Sequence, residues 1–361
     1  MEYDWYKIYV MQKYEELKKL QPKNDTKEIR YAIATSEDLL NYRESRKKKP
    51  TTSEIFFRDY EKLKRSQMLW PDLSAFAKSA KENINFNTDI LKMCLSNEEL
   101  LCLTHDFFKN ATPKEIFKQF MHFYKQKNKN VHIFRNTSVD FYADSFYLPY
   151  YRDLFIQLKP RNEFEDASTL AHEYGHGIHF YNNFHPNIYY KNYIFIEIIS
   201  TFFEYLMLIY YSHTGSYQEV AINCFIDTYE ERKAMAENIQ TFFNYAEYIG
   251  LKENLSKKEE INLITSFCNY YGDEQIKDLF NEGSIAEDAI YVFATSIVCE
   301  LLCIYYEDPD KTFYLVKRLM KIDPRLSPER FYEEILKLGI TPNENIATLN
   351  NHLKRELTRF S

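Results

Sequence analysis

Glycine is nearly missing from this chain: seven residues among 361. Tight β-hairpins draw on Gly or Asn-Gly turns, so the scarcity argues against a sheet-rich protein and for a mostly helical one. A basic face is lacking too. The net charge is −7 and the pI about 5.8, which excludes the electrostatic footprint of a nucleic-acid partner. The one dense basic run, RKKKP at 46–50, reads as a solvated helix end or loop. None of the six cysteines forms a CxxC pair. Cys299 and Cys303, four apart in an apolar run, read as small buried thiols rather than as a metal or redox pair. The charged N-terminus has no signal-peptide core. No run of about eighteen apolar residues suggests a transmembrane helix. From these absences we expect a cytoplasmic protein with no nucleic-acid and no membrane partner. A Gly-rich phosphate loop, a Ser/His/Asp signature, an internal repeat and a Gly/Ser linker are all missing, and the sequence assigns no oligomeric state.

What is present is a core. Hydrophobic residues make up 45% of the chain, with 31 Tyr and 28 Phe, enough for a large helical interior. Residues 1–125 read as an N-terminal lobe of amphipathic helices. YDWYKIYVMQKYEELKKL, TSEIFFRDYEKLKRSQMLW, SNEELLCLTHDFFKNA and ATPKEIFKQFMHFYKQKN each place apolar residues at helical spacing. Between 130 and 160 the chain turns aromatic and β-branched, and DLFIQLK alternates as a strand of a small sheet does. Helices resume beyond 161. Residues 126–361 read as a catalytic region continuous with the first lobe.

Three of the nine histidines crowd into STLAHEYGHGIHF, residues 168–180. HEYGH is an HExxH motif: His172, Glu173, His176. On a helix, positions four apart sit about 40° from one another, so both imidazoles can converge on one zinc ion. Glu173 stands at the edge of that face, where it can serve as general base toward water. Asn162, three residues before Glu165, is the expected cap of the helix. A catalytic zinc needs a third protein ligand. Downstream, YIFIEIISTFFEYLML (193–208) reads as an apolar helix interrupted by Glu197 and Glu204, two turns apart on one face. Buried carboxylates are costly unless paired or bound to metal. Glu197 is thus the candidate third ligand, and Glu204 a partner for a ligand imidazole; the alternative is a solvent-facing or salt-bridged pair. His179, three beyond His176, is a candidate cleft residue.

TLAHEYGHGIHF followed by FIEIISTFFE resembles the oligoendopeptidase F and thimet oligopeptidase family of zinc metallopeptidases. ENIQTFFNYAEYI, YVFATS (291–296) and SPERFYEEILKLGITP resemble later segments of that family, so the likeness runs from about 130 to the end. The resemblance implies a mainly α, large helical ellipsoid with a deep central channel, one zinc ion at its floor and a small sheet at the rim that binds peptide backbone. It also implies short unstructured peptides as substrates. The sequence departs from the family in being shorter at the N-terminus, which implies a more open channel. It has no histidine between His213 and His352. Gly283 stands near the position of the family's oxyanion-stabilising histidine, and Phe293 replaces the second tyrosine of its segment. Tyr291 is left either as the donor to the oxyanion or as a packed aromatic. The expected function is a zinc-dependent endopeptidase with Glu173 as base; the alternative is a weak or inactive member that binds peptides.

Overall fold

The computed structural model describes residues 5–37, 62–79, 84–135, 142–185, 191–248 and 285–360, apart from positions 27, 28, 31, 35, 64, 85 and 149, together with isolated positions between 256 and 265. The basic run at 46–50, most of the expected helix at 52–70, Cys268 and Gly283 lie outside the described residues.

Helices dominate, as the scarcity of glycine requires. Trp5–Leu20 is the first described helix, and Asn97–Ala111 begins at a full capping box. In that box Ser96 accepts from the Glu99 N–H while the Glu99 carboxylate accepts from the Ser96 N–H. Pro113, which has no N–H to leave unsatisfied, precedes Lys114–Tyr124. The sheet then follows as three strands in the order β1-β3-β2, with β1 at Val131–Ile133, β2 at Ala143–Leu148 and β3 at Asp153–Leu158. β1 runs parallel to β3, and β2 antiparallel with Phe146 opposite Phe155. Alternation divides the two faces. Tyr147, Leu154 and Ile156 point into the main core, whereas Phe146, Leu148 and Phe155 pack on Val10 of the first helix. The main core runs unbroken from Leu63 to Leu353, across position 125.

Directly after β3 comes the HExxH helix, Glu165–Asn183, buried from Asp166 to Phe180. Its start differs from expectation. Asn162 takes a left-handed backbone (φ 62) and does not cap. Asp166 reaches back instead, accepting from the N–H groups of Arg161, Asn162 and Glu163 at 2.9, 3.0 and 3.2 Å. A buried carboxylate with three backbone donors is a stronger N-terminal anchor than a side-chain amide.

The apolar stretch expected as one helix from 193 is broken in two. A 3-10 turn, Tyr193–Phe195, leads to Glu197, which is the N-cap residue of Ile198–His213. The long helices Gln218–Tyr248 and Ile285–Glu307 then close over it. The segments Tyr193–His213 and Ile285–Glu307 correct one expectation: each is long and apolar enough to cross a membrane by length and composition. Their most apolar stretches are 89% and 72% buried within the protein, which is where core helices of a large helical fold place such residues.

The HExxH helix and Ile198–His213 approach closely because of Gly175. A Cβ there would lie 2.8 Å from the Ser200 Cα and 3.2 Å from the Phe203 ring. Alanine ordinarily stabilises a helix interior by about 1 kcal/mol over glycine. Here overpacking against backbone reverses the sign. Gly175→Ala is expected to lower stability by about 1–3 kcal/mol, read as a lower midpoint of urea unfolding. An unchanged or raised midpoint would show that the two helices part without cost.

Candidate metal centre

Nineteen residues of helix carry the motif, and its two faces do different work. Tyr174 turns away from the site, fully buried with its ring 4.8 Å from Phe120. His172 and His176 turn toward Glu197. The Nε2 atoms of His172 and His176 lie 2.9 and 3.1 Å from one oxygen, Oε2 of Glu197. One ligand atom from each of these three residues falls within 4.8 Å of the others. Two imidazole nitrogens and a carboxylate oxygen aimed at a common point form a donor set that fits a zinc ion. Among the described residues they are the only group of this kind.

Glu197 owes its position to the break in the apolar stretch. As N-cap it stands at the mouth of its helix, and Ser200 Oγ donates to its side chain at 3.1 Å. Glu204, two turns on, lies behind the centre, with Oε2 2.8 Å from His172 Nδ1. Burial works against a charged His172, but the carboxylates of Glu197 and Glu204 outweigh it and hold this imidazole well above the ordinary histidine pKa. Burial likewise opposes the Glu197 charge, yet His176 and His172 keep this carboxyl well below its ordinary value.

Two cavities flank the centre. One, about 260 Å³, is bordered by Tyr142, Glu165, Glu173, Arg232 and Tyr291 among others. The second, about 200 Å³, is bordered by Asp144, Ser145, Phe180, Ile196 and Glu197. Ala143, His172, Glu173 and Tyr291 border both, so Glu173 and Tyr291 stand where the two spaces meet. Residues 143–145 of β2 line the cleft, and the outer edge of β2 pairs with no other described strand. The Tyr291 hydroxyl is held well above its ordinary pKa by the Glu197 charge and by burial, so it remains an O–H donor through the neutral range.

Not every candidate reaches the cleft. His179 borders neither cavity; it is buried, its ring stacked 5.5 Å from Phe180. Burial and the adjacent His176 push its pKa down to about 3, which keeps it neutral. Phe293 is also remote. It is fully buried, with Phe195 and Tyr332 at 5.6 and 5.9 Å. Residues two apart on a helix point in nearly opposite directions, so Tyr291 faces the cleft and Phe293 the core.

Several residues that border the cleft escaped the sequence reading, Glu165 and Arg232 among them. Glu165 stands on the wall of the larger cavity, where burial and the neighbouring Glu204 charge push its pKa up to about 8. Arg232 stands on the same wall. Its signal was available: in Gln218–Tyr248 the buried stripe Phe225, Tyr229, Ala236, Ile239 and Phe243 passes through position 232, so an arginine interrupts a core face.

No family profile matches the chain, and no curated protein matches its sequence. Its fold does have counterparts among solved structures. A protein of Bacillus anthracis assigned as oligoendopeptidase F aligns over 92% of this chain and 63% of its own, with a TM-score of 0.52 and 15% identity. One from Chlamydophila abortus, assigned as a peptidase, aligns over 87% and 56%, with a TM-score of 0.51 and 15% identity. PZ peptidase A, solved with an inhibitor, aligns over 86% and 59%, with a TM-score of 0.52 and 10% identity. The chain therefore spans less than two thirds of the length of these three structures. Over most of its own length, it is built on the mainly α fold of the oligoendopeptidase F structures.

Proposed function

We propose that the protein is a metal-dependent endopeptidase that hydrolyses short unstructured peptides. One observation carries this reading: the ligand atoms of His172, His176 and Glu197 converge within 4.8 Å, with Glu173 on the wall shared by two cavities. When bound there, a zinc ion would polarise a peptide carbonyl and bring the pKa of water toward neutrality. The imidazole Nε2 atoms and the Glu197 carboxylate would hold it. Glu204, accepting from His172 Nδ1–H, fixes the tautomer that leaves Nε2 free to ligate and makes that nitrogen more basic. Glu173 takes the proton from the attacking water and delivers it to the leaving amine. Tyr291, kept protonated, donates to the carbonyl oxygen as negative charge builds on it. Residues 143–145 of β2, an edge strand among the described strands, lie along the cleft where an extended peptide would run. Cavities of about 260 and 200 Å³ give room for about one or two residues either side of the bond.

Glu173→Gln preserves shape and removes the base. It is expected to retain zinc at parental stoichiometry by plasma mass spectrometry while cutting turnover of a quenched peptide library by about 10²–10⁴-fold. Parental turnover would refute the base; no cleavage by the zinc-loaded parent would favour a peptide-binding role instead.

Glu204→Gln tests the support behind His172. Zinc affinity, titrated against a competing chelator, is expected to fall by about 10–100-fold, with Glu197→Gln more damaging still. Equal affinity in Glu204→Gln and parent would mean that the 2.8 Å contact to His172 does not tune the centre.

A further inference from the structure

The peptidase mechanism gives no work to two cations that border the larger cavity, Arg161, which lies over the Tyr142 ring and beside Glu165, and Arg232. Arg232 has a side chain only 11% exposed and borders the 260 Å³ cavity beside His172, Glu173 and Tyr291. Its guanidinium carbon lies 4.7 Å from the centre of the Tyr291 ring. Its Nε is buried and meets no hydrogen-bond acceptor among the described residues. Its nearest polar contacts are Met235 Sδ at 3.3 Å and a Glu231 oxygen at 3.7 Å, longer than a hydrogen bond, from a side chain that is 52% exposed to water. A buried guanidinium with donors to spare is costly, and the group that relieves it best is a carboxylate, which takes two parallel N–H bonds.

Besides Glu231, three carboxylates border that wall, of which Glu173 is the base of the reaction proposed above. Glu204 bonds His172, and Glu165 leans toward Arg161 at 3.8 Å. Burial, with the charge of Glu204, raises the Glu165 pKa to about 8 and so weakens its claim on a cation at neutral pH. Position also separates Arg232 from the reacting carbonyl. It borders only the larger cavity, whereas His176 and Glu197 border only the smaller one. The guanidinium therefore stands on the side of the centre that the larger cavity occupies.

Resting on the peptidase reading, we propose that Arg232 is the receptor for a substrate carboxylate, so that the enzyme prefers peptides presenting a negative charge within one or two residues of the cleaved bond. That carboxylate has two sources. A free C-terminus would place the cavity on the leaving-amine side, and an acidic side chain could enter from either direction.

The test uses the zinc-loaded protein and one peptide sequence in four forms: free acid, C-terminal amide, and amides carrying Glu or Gln next to the cleaved bond. Parent, Arg232→Gln and Arg232→Lys are compared. The same peptides, fluorescently labelled, are titrated against Glu173→Gln with and without Arg232→Gln, which reads binding without turnover. The parent is expected to favour a charged form over its neutral match by about 10–100-fold in kcat/KM, mostly through KM. Preference for the free acid identifies the C-terminus, and preference for Glu over Gln the side chain. Arg232→Gln should bring the ratio close to one, and Arg232→Lys, a point charge without the fork, should keep part of it. A parental ratio in Arg232→Gln overturns the proposal, as does a loss of kcat equal on charged and neutral peptides, which would instead place Arg232 at the oxyanion. If circular dichroism shows that Arg232→Gln does not fold, the Lys variant decides: an undiminished ratio overturns the assignment. If the parent cleaves nothing, the peptidase reading fails by itself. The binding titrations then judge Arg232 alone: equal affinity for charged and neutral peptides refutes it, and tighter binding of the charged form that is lost in Arg232→Gln supports it.

Discussion

A buried carboxylate oxygen shared by two buried imidazoles is the constraint around which this protein is organised. Glu197 Oε2 lies 2.9 and 3.1 Å from the Nε2 atoms of His172 and His176. Removing these groups from water is unfavourable unless they meet one another or a cation. They come from two different helices, so their meeting depends on how closely those helices approach. Gly175, between the two histidines in sequence, sets that distance by letting the Ser200 backbone come within the space that a side chain would fill. The motif's one glycine is thus a packing requirement of a centre built from two histidines of one helix and the N-cap residue of the other.

The remaining elements hold that contact and open it to substrate. On the far side of the motif helix, Gly177 faces Leu154 of β3 and Phe123, where an added Cβ would lie 2.5 and 3.2 Å away. The helix is therefore clasped between another helix and a sheet, with little freedom to rotate its histidines. β2, on the outside of that sheet, presents residues 143–145 along the cleft. The two ends of the cleft differ in chemistry. Asp144, Ser145, Phe180 and Ile196 border the smaller end, while Arg161, Glu165, Glu231 and Arg232 border the larger, which alone of the two is lined by arginine.

Much of this was legible in the sequence because it is local. The four-residue spacing of His172 and His176 needs only a helix, and the alternation in DLFIQLK needs only one buried face. Glu197 and Glu204 were visible as charges in an otherwise apolar stretch, where the cost of desolvation forces a partner. What was not legible depends on tertiary context. Asn162 has the composition of a cap, but Asp166, in the first turn of the helix, wins the backbone donors because its buried carboxyl reaches all three. The stretch from 193 has no helix breaker, yet the chain stops and restarts at Glu197. His179 shares the motif's face closely enough to suggest the cleft, but it is buried beside Phe180 and borders neither cavity. Arg232 went unread because an arginine on a long amphipathic helix is ordinarily a surface residue; only its register with Phe225, Tyr229 and Ala236 sets it apart.

Register also decides what the substitution at Phe293 means. A residue two places beyond Tyr291 is rotated by about 200° on the helix, so both cannot face the same cleft without a local distortion. Here Phe293 fills the core between Phe195 and Tyr332, where a hydroxyl would be buried without gain. The missing oxygen at 293 therefore removes nothing from the cleft of this chain. The hydroxyl that does border both cavities is that of Tyr291, and the Glu197 charge beside it holds the proton on. In the proposed chemistry that single donor carries a contribution of about 2.7–4 kcal/mol, the range typical of one oxyanion contact. Helix register thus places Tyr291 at the cleft and Phe293 in the core, and that one geometric fact accounts for both positions.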